Sequence, residues 1–287
     1  MDRQQVVRKK KLEALMFDVR EELRSQKEKE LASSKKETVS CADIAEFLQL
    51  SALGHKKLFH YTKMENVRGI LESKQLYLSR LSEMNDLNEY RGTRDADRTY
   101  LACFSFGEEE NMAMWKMYGG SPDESVRIQF GGATVAKCIG KHDHQKVYPV
   151  RLSDDCQKGD EPQLEIEEWS FHDVAYTYGK ALMWNRKVVG TGRCRGLSDP
   201  YAIPELKNRV KDFGWNSESE VRLVIRLTKS VPGLSRIAVD FDKPISSMSV
   251  LLGPSLSKQT KFKCMLERSG KKLDDARIKE SSYEVKF

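Results

Sequence analysis

The chain has 287 residues, is 39% hydrophobic and 32% charged, and carries a net charge of +6, enough for one large domain or two small ones under a heavily charged surface. No apolar run approaches the roughly 18 residues of a membrane span, and the charged N-terminus lacks the apolar stretch of a secretory signal, so a cytoplasmic protein with no membrane partner is expected. The mild positive balance permits a nucleic acid or phosphate partner without requiring one.

Six cysteines, Cys41, Cys103, Cys138, Cys156, Cys194 and Cys264, include no pair separated by two residues and no histidine at zinc-finger spacing. They read as reduced, mostly buried thiols.

Residues 1–34 are dense in Lys, Arg and Glu, with Val6, Leu12, Leu15, Met16, Val19 and Leu23 at roughly helical spacing. This is a charged helical arm with one packing face; the run Arg8-Lys9-Lys10-Lys11 suits a partner or nucleic acid. Ser40 is placed to cap a short helix over Asp43–Leu50. The main domain is expected to begin near Lys56, giving an arm over 1–56 and a domain over 57–287.

Leu58–Thr62 reads as a strand, Met64–Ser73 as a helix with Val67, Ile70 and Leu71 on one face, and Gln75–Arg80 as a second strand alternating Leu76 and Leu78 against Tyr77 and Ser79. Arg91–Arg98 is turn-like, Tyr100–Phe106 a strand, Asn111–Tyr118 a helix, and Ser125–Phe130 a strand ended by Gly131-Gly132. Val147–Leu152 is a further strand and Glu161–Glu168 an exposed acidic stretch. His172–Lys187 reads as a helix carrying aromatic residues. The glycine-rich VVGTGRCRG lacks the Gly-Lys-Ser/Thr of a phosphate loop and reads as a mobile loop.

Glu205–Phe213 is predicted helical, and Val221–Leu227 is a strong strand. Ile237–Phe241, Met248–Leu252 and Arg277–Phe287 are further strands, with a helix over Ser257–Arg268. Many short strands with a few helices between them predict an α+β fold built on a mixed or antiparallel sheet.

Four constellations could carry chemistry. His60-Tyr61-Thr62 ends the first strand; a lone histidine among aromatics is more often a packed structural residue, and Tyr61 taken alone reads as packing. Glu218-x-Glu220 enters a strand, where residues two apart share a face. Two carboxylates on one face repel, raising at least one pKa. One can then stabilise a positive sugar-like state while the other takes a proton. The alternative is a solvated charged turn with Glu220 paired to Arg222. His142-Asp143-His144 has no further ligand nearby, so no metal is expected, and no Gly-x-Ser-x-Gly elbow marks a hydrolase. Asn85-Asp86 with Glu89 either caps a helix or lines the mouth of a pocket near His60.

Taken in order, FHYT, GILESKQLYLS, NDLNE, CFSF, MWKMY, SVRIQF, ESEVRLV and LLGP resemble the bacterial domain-of-unknown-function family 2971, from about Leu58 to the C-terminus. Leu87-Asn88 departs from that pattern, which has Pro and Phe before the glutamate. The opening strand, helix and strand are also similar to those of ADP-ribosyltransferases.

That second resemblance implies NAD as co-substrate. His60 would hold the adenosine-side ribose, and Tyr77 or Ser79 would lie beside the nicotinamide ribose. Tyr61 would stack on a ring, with Thr62, Asn85 and Glu89 completing the NAD site. Glu220 would be the late catalytic glutamate and Glu218 the first of an ExE turn. It further implies a mono-ADP-ribosyltransferase acting on a macromolecule, with RNA or DNA slightly favoured over protein, in a bacterial toxin or anti-phage effector with a possible antitoxin partner. The alternative is a non-catalytic nucleotide-sensing or nucleic-acid-binding module.

Overall fold

The computed structural model describes residues 24–29, 40–84, 86, 95–120, 124–140, 146–150, 164–179, 181–191, 200–254, 262–264, 266–267 and 277–282. Most of the arm, the His142/His144 pair, Asn85 and Glu89 lie outside the described residues; residues 24–29 are helical.

Helix α1 (Cys41–Gly54) starts at the expected Ser40 cap. Ser40 Oγ accepts from the Asp43 N–H, and the Asp43 carboxylate accepts from the Ser40 N–H, two orphan donors satisfied reciprocally. Strand β1 (Lys57–Lys63), helix α2 (Met64–Ser73) and strand β2 (Gln75–Arg80) follow as the periodicity predicts. Strand β3 (Thr99–Ser105), helix α3 (Met112–Tyr118) and strand β4 (Ser125–Gly131) also fall on their expected stretches. Gly131-Gly132 ends β4, and helix α4 (Gly132–Ile139) begins there. A Cβ on Gly132 would stand 1.8 Å from the His55 carbonyl oxygen, so this glycine serves a close backbone crossing.

Next come β5 (Val147–Val150), β6 (Ile166–Asp173), β7 (Ala175–Tyr178), β8 (Ala181–Trp184), β9 (Lys187–Thr191), β10 (Val210–Asp212) and β11 (Glu220–Leu227). The described chain closes with β12 (Arg236–Asp240), helix α5 (Asp242–Ser246), β13 (Ser249–Leu252), helical residues 262–264 and 266–267, and β14 (Ile278–Glu280).

The fold is α+β with mixed sheets. The larger sheet runs β14-β13-β4-β1-β3-β2-β12-β5, with β11 on β3 and β6 on β11; the smaller runs β10-β7-β8-β9. All pairings are antiparallel except β13 with β14 and β10 with β7. The main core joins Leu58, Tyr100, Phe104, Ile128 and Leu223 to the inner faces of α2 and α4. A second core joins Ile44, Phe47 and Leu48 of α1 to Ala175, Leu182, Trp184 and Val210 of the smaller sheet. Helix α1 lies before the expected boundary at residue 56, yet it is bolted into this core. Buried Asp173 accepts from Ser51 Oγ, and from Trp184 Nε1 and His55 Nε2 at 2.8 Å each.

Several expectations fail for identifiable reasons. The helix expected over His172–Lys187 is instead the end of β6 followed by β7 and β8. Asn185 and Arg186 both take positive φ, 45° and 64°, the two-residue hairpin geometry that turns β8 into β9. The glycine-rich loop begins as strand β9, and its residues 192–199 lie outside the described residues. The helix expected over Glu205–Phe213 is a 3-10 turn at Pro204–Leu206 followed by β10. Asn208 at φ 61° breaks any continuation. Part of the exposed acidic stretch over Glu161–Glu168 belongs to β6. Among the described cysteines none forms a disulfide; Cys41, Cys103 and Cys138 are half-buried and Cys264 is exposed, less burial than composition suggests.

Candidate active site

The site is made by a split in the larger sheet. One edge of β3 pairs with β11 along its whole length, from Thr99↔Arg226 to Ser105↔Glu220. The other edge is shared. β2 takes its first half at Leu101↔Ser79 and Tyr100↔Arg80, and β1 takes its end at Ser105↔Phe59. Between them the main chain of Ala102–Phe104 has no strand partner on that side. A cleft of about 290 Å³ opens here, lined by His60, Tyr77, Ser79, Cys103, Glu218 and Glu220 among others.

His60 fills part of the gap. Its Nδ1 lies 2.9 Å from the Cys103 carbonyl oxygen. A carbonyl only accepts, so Nδ1 carries the proton. Burial pushes the His60 pKa down, against the smaller upward pull of that hydrogen bond. The ring is therefore neutral near pH 7, and Nε2 offers a lone pair to a donor such as a sugar hydroxyl.

The opposite wall carries the two glutamates. The 3-10 turn Phe213–Glu218 is capped by Asp212, which accepts from the Gly214 N–H at 2.9 Å. Ser219 then takes a left-handed φ of 46°, and Glu220 opens β11. Asn111, the cap of α3, ties this turn down by donating from Nδ2 to the Ser217 carbonyl at 2.6 Å. The expected simple extended ExE is thus a kinked one, yet both side chains still meet at one point.

They meet at Lys211, whose Nζ is 2.6 Å from Glu218 Oε2 and 3.3 Å from Glu220 Oε2. Arg222 grips Glu220 bidentately, Nε to Oε1 at 2.7 Å and Nη2 to Oε2 at 3.0 Å. Tyr118 donates its hydroxyl to Glu218 Oε1, and the Tyr176 hydroxyl accepts from the Glu220 N–H at 2.9 Å. Lys211, Glu218, Glu220 and Arg222 are 5%, 2%, 3% and 0% exposed. The pair is therefore no solvated turn, although Glu220 does pair with Arg222.

The two carboxyls diverge. Burial works upward on Glu220, but Arg222 and Lys211 outweigh it and hold the group at about 2. Glu218 moves up, through its burial and then through the charge of Glu220. The Cys103 thiol is pushed well up by burial and by Glu220, so it stays protonated and is no nucleophile. One carboxylate held ionised beside another biased towards a proton is the separation that acid–base chemistry uses.

His60, Tyr61, Tyr77, Ser79, Glu218 and Glu220 all line the cleft, as does Asp86 beside the expected Asn85. Tyr61 is largely committed elsewhere. Its ring meets Trp115 edge-on at 5.0 Å and its hydroxyl accepts from the Asn111 N–H at 3.2 Å. Thr62 does not line the cleft; it is buried and its Oγ1 accepts from Asn66 Nδ2 at 2.8 Å. Sequence reasoning missed Lys211 and Tyr118. Tyr118 was legible as the last inward residue of its helix. Lys211 gave no signal, because its stretch reads as helix. Among the described residues, no group of three or more His, Cys, Asp or Glu could hold a metal ion, and no helix is long and apolar enough to cross a membrane.

No family model and no curated protein matches the chain. Among solved structures it is similar to DarT of Thermus sp. 2.9 in complex with NAD+, at 10% identity and a TM-score of 0.36, covering 79% of this chain and 96% of that one. A likeness of that degree leaves function to be argued from the side chains.

Proposed function

We propose that the cleft binds NAD and that the protein is a mono-ADP-ribosyltransferase acting on a macromolecular acceptor, nucleic acid before protein. The family 2971 resemblance and an ADP-ribosyltransferase-like arrangement of strands are part of this reading. The observation that carries it is Glu220, a buried carboxylate kept ionised on the cleft wall, across from a neutral His60. Arg222 does not reach the cleft lining, so the carboxylate stands in front of its counterion. NAD supplies a ribose–nicotinamide bond that breaks with its electron pair leaving on nicotinamide. As positive charge develops on the ribose carbon, Glu220 stabilises it in a low-dielectric wall. The acceptor's nucleophilic atom then forms the new bond to that carbon, and Glu218 takes the proton it gives up. His60 Nε2 accepts from a ribose hydroxyl, while Tyr77 and Ser79 border the same space. A volume of about 290 Å³ suits one nucleoside half of the dinucleotide inside the cleft, the rest lying towards its mouth.

The test is nicotinamide release from NAD, and a mass shift on acceptor, with RNA, DNA and protein each supplied. Wild type should release nicotinamide, and Glu220→Gln should lose about 10²–10³-fold of that rate. No release with any acceptor would end the transferase reading. The ion pairs occupying both oxygens of Glu220 favour one second reading, a module that binds a nucleotide without turning it over. Calorimetric binding of NAD with no release would select it.

A further inference from the structure

The cleft has a feature that neither strand pattern nor motif announces. Among the described residues, Lys211 is the only lysine or arginine in its lining, and it comes from the other sheet. Its strand β10 pairs in parallel with β7, Lys211 opposite Tyr176, while both glutamates belong to the approach and start of β11. Arg222 pairs with Glu220 and also donates from Nη1 to the Asn208 carbonyl at 3.2 Å. Lys211 contacts both carboxylates, at 2.6 and 3.3 Å. Its ammonium also sits over the Trp215 ring, 4.4 Å from the centroid, on the turn that delivers Glu218.

We propose that Lys211 is a positioning residue of this cleft: its ammonium clamps Glu218 beside Glu220, so that the two carboxylates are held side by side on one shared cation. The part of this that makes Glu218 a usable base rests on the transferase reading; the clamp itself does not.

Two buried carboxylates in one small volume repel strongly, because burial weakens screening. A cation shared between them removes that cost for both at once, whereas Arg222 removes it for one. The groups facing Lys211 include Glu218, Glu220 and the Trp215 ring. Behind them stand Arg222 on β11, Tyr118 on α3, Tyr176 on β7 and the Cys103 thiol on β3. Of these only Arg222 is a second cation, and it is already spent on Glu220. Without Lys211, burial and the Glu220 charge act on Glu218 opposed only by the Tyr118 hydroxyl. The Glu218 carboxyl is then pushed further up, and it becomes a poorer acceptor of a substrate proton near neutral pH.

The experiment compares the full chain with Lys211→Met and Lys211→Arg. Glutamate side-chain carboxyls are titrated by carbon NMR, with Glu218→Gln used to assign the resonance. In Lys211→Met the Glu218 midpoint should rise by about one pH unit or more, and Lys211→Arg should stay near wild type. An unchanged midpoint in a folded Lys211→Met protein overturns the proposal. Nicotinamide release against pH is measured alongside. Its acid limb should move up with the carboxyl midpoint in Lys211→Met; a uniformly slower rate with an unmoved limb counts against the clamp. If wild type releases no nicotinamide, the transferase reading falls while the carboxyl titration still decides on Lys211. Should Lys211→Met fail to melt cooperatively, Lys211→Met/Glu218→Gln removes the ion and its counterion together and is expected to fold. Failure of that double variant as well would make Lys211 a packing residue and overturn the proposal.

Discussion

Replacing Glu220 by glutamine tests the electrostatics of the cleft wall through stability alone. The amide takes from buried Arg222 the carboxylate that grips it bidentately, and from Lys211 one of its two carboxylate contacts. The carboxyl is held at about 2 against an ordinary 4.5, roughly 2.5 pH units at about 1.36 kcal/mol each, or about 3 kcal/mol. Breaking a buried ion pair by removing one partner costs a similar amount, about 3–5 kcal/mol. The folded-state pKa lies below the unfolded one, so this stability is present above pH 4.5 and is lost as pH falls towards 2. Urea unfolding at pH 7 should therefore show the full loss in Glu220→Gln, and the gap to wild type should close as the pH falls below 4.5. Glu218, shifted the other way, takes its proton first and relieves repulsion as acid is added, so it does not mimic this signature. The double variant Glu220→Gln/Arg222→Met removes the buried cation as well and should recover most of the loss. A deficit under about 1 kcal/mol at pH 7, or one that persists unchanged in acid, would refute the reasoning. The same result governs the activity assay: a slow Glu220→Gln is informative only below its own melting temperature.

Asp173→Ala should destabilise by roughly 3–5 kcal/mol in urea, since Ser51, Trp184 and His55 each lose a buried acceptor; Asp173→Asn, which keeps one oxygen, should cost less. Deleting residues 1–34 should weaken partner or nucleic-acid binding and leave the cooperative melt intact. Deletion through His55 should abolish that melt, because Ile44, Phe47 and Leu48 are each 0% exposed and together contribute roughly 5–8 kcal/mol. Because burial lowers the His60 pKa, its ring stays neutral below the ordinary histidine value. NAD affinity should accordingly be flat from neutral pH down through 6.5, and a titrating affinity in that range would show that His60 is not a neutral acceptor.

The larger sheet was legible wherever one face is apolar and the other is not. Leu76 and Leu78 alternate with Tyr77 and Ser79, and Val221–Leu227 is too rich in branched residues to be anything else. The smaller sheet was not, because its strands are short and aromatic residues suit a buried helix face as well as a strand. What decides between them is Asn185-Arg186, a turn whose positive φ is a matter of two residues. Asn208 plays the same part before β10. Local breaks of this kind outweigh an apparent 3.6-residue period, since a helix cannot run through them.

The site divides along the same line. His60, Tyr77, Ser79, Glu218 and Glu220 stand on strands of the larger sheet or at the entry to one; alternation paired Tyr77 with Ser79 and Glu218 with Glu220, and the resemblance to ADP-ribosyltransferases put them in one site. Lys211 stands on the smaller sheet, so its arrival between the glutamates depends on how two sheets dock, which no spacing in the sequence encodes. The consequence is chemical. Read without Lys211, Glu218 and Glu220 are a repelling pair with one natural partner in Arg222. With it, they are two carboxylates and two cations in a buried neutral set, in which Glu220 is fixed as an anion and Glu218 is poised nearer its proton. A cleft wall of that kind is stable at rest and becomes net positive as soon as Glu218 is protonated.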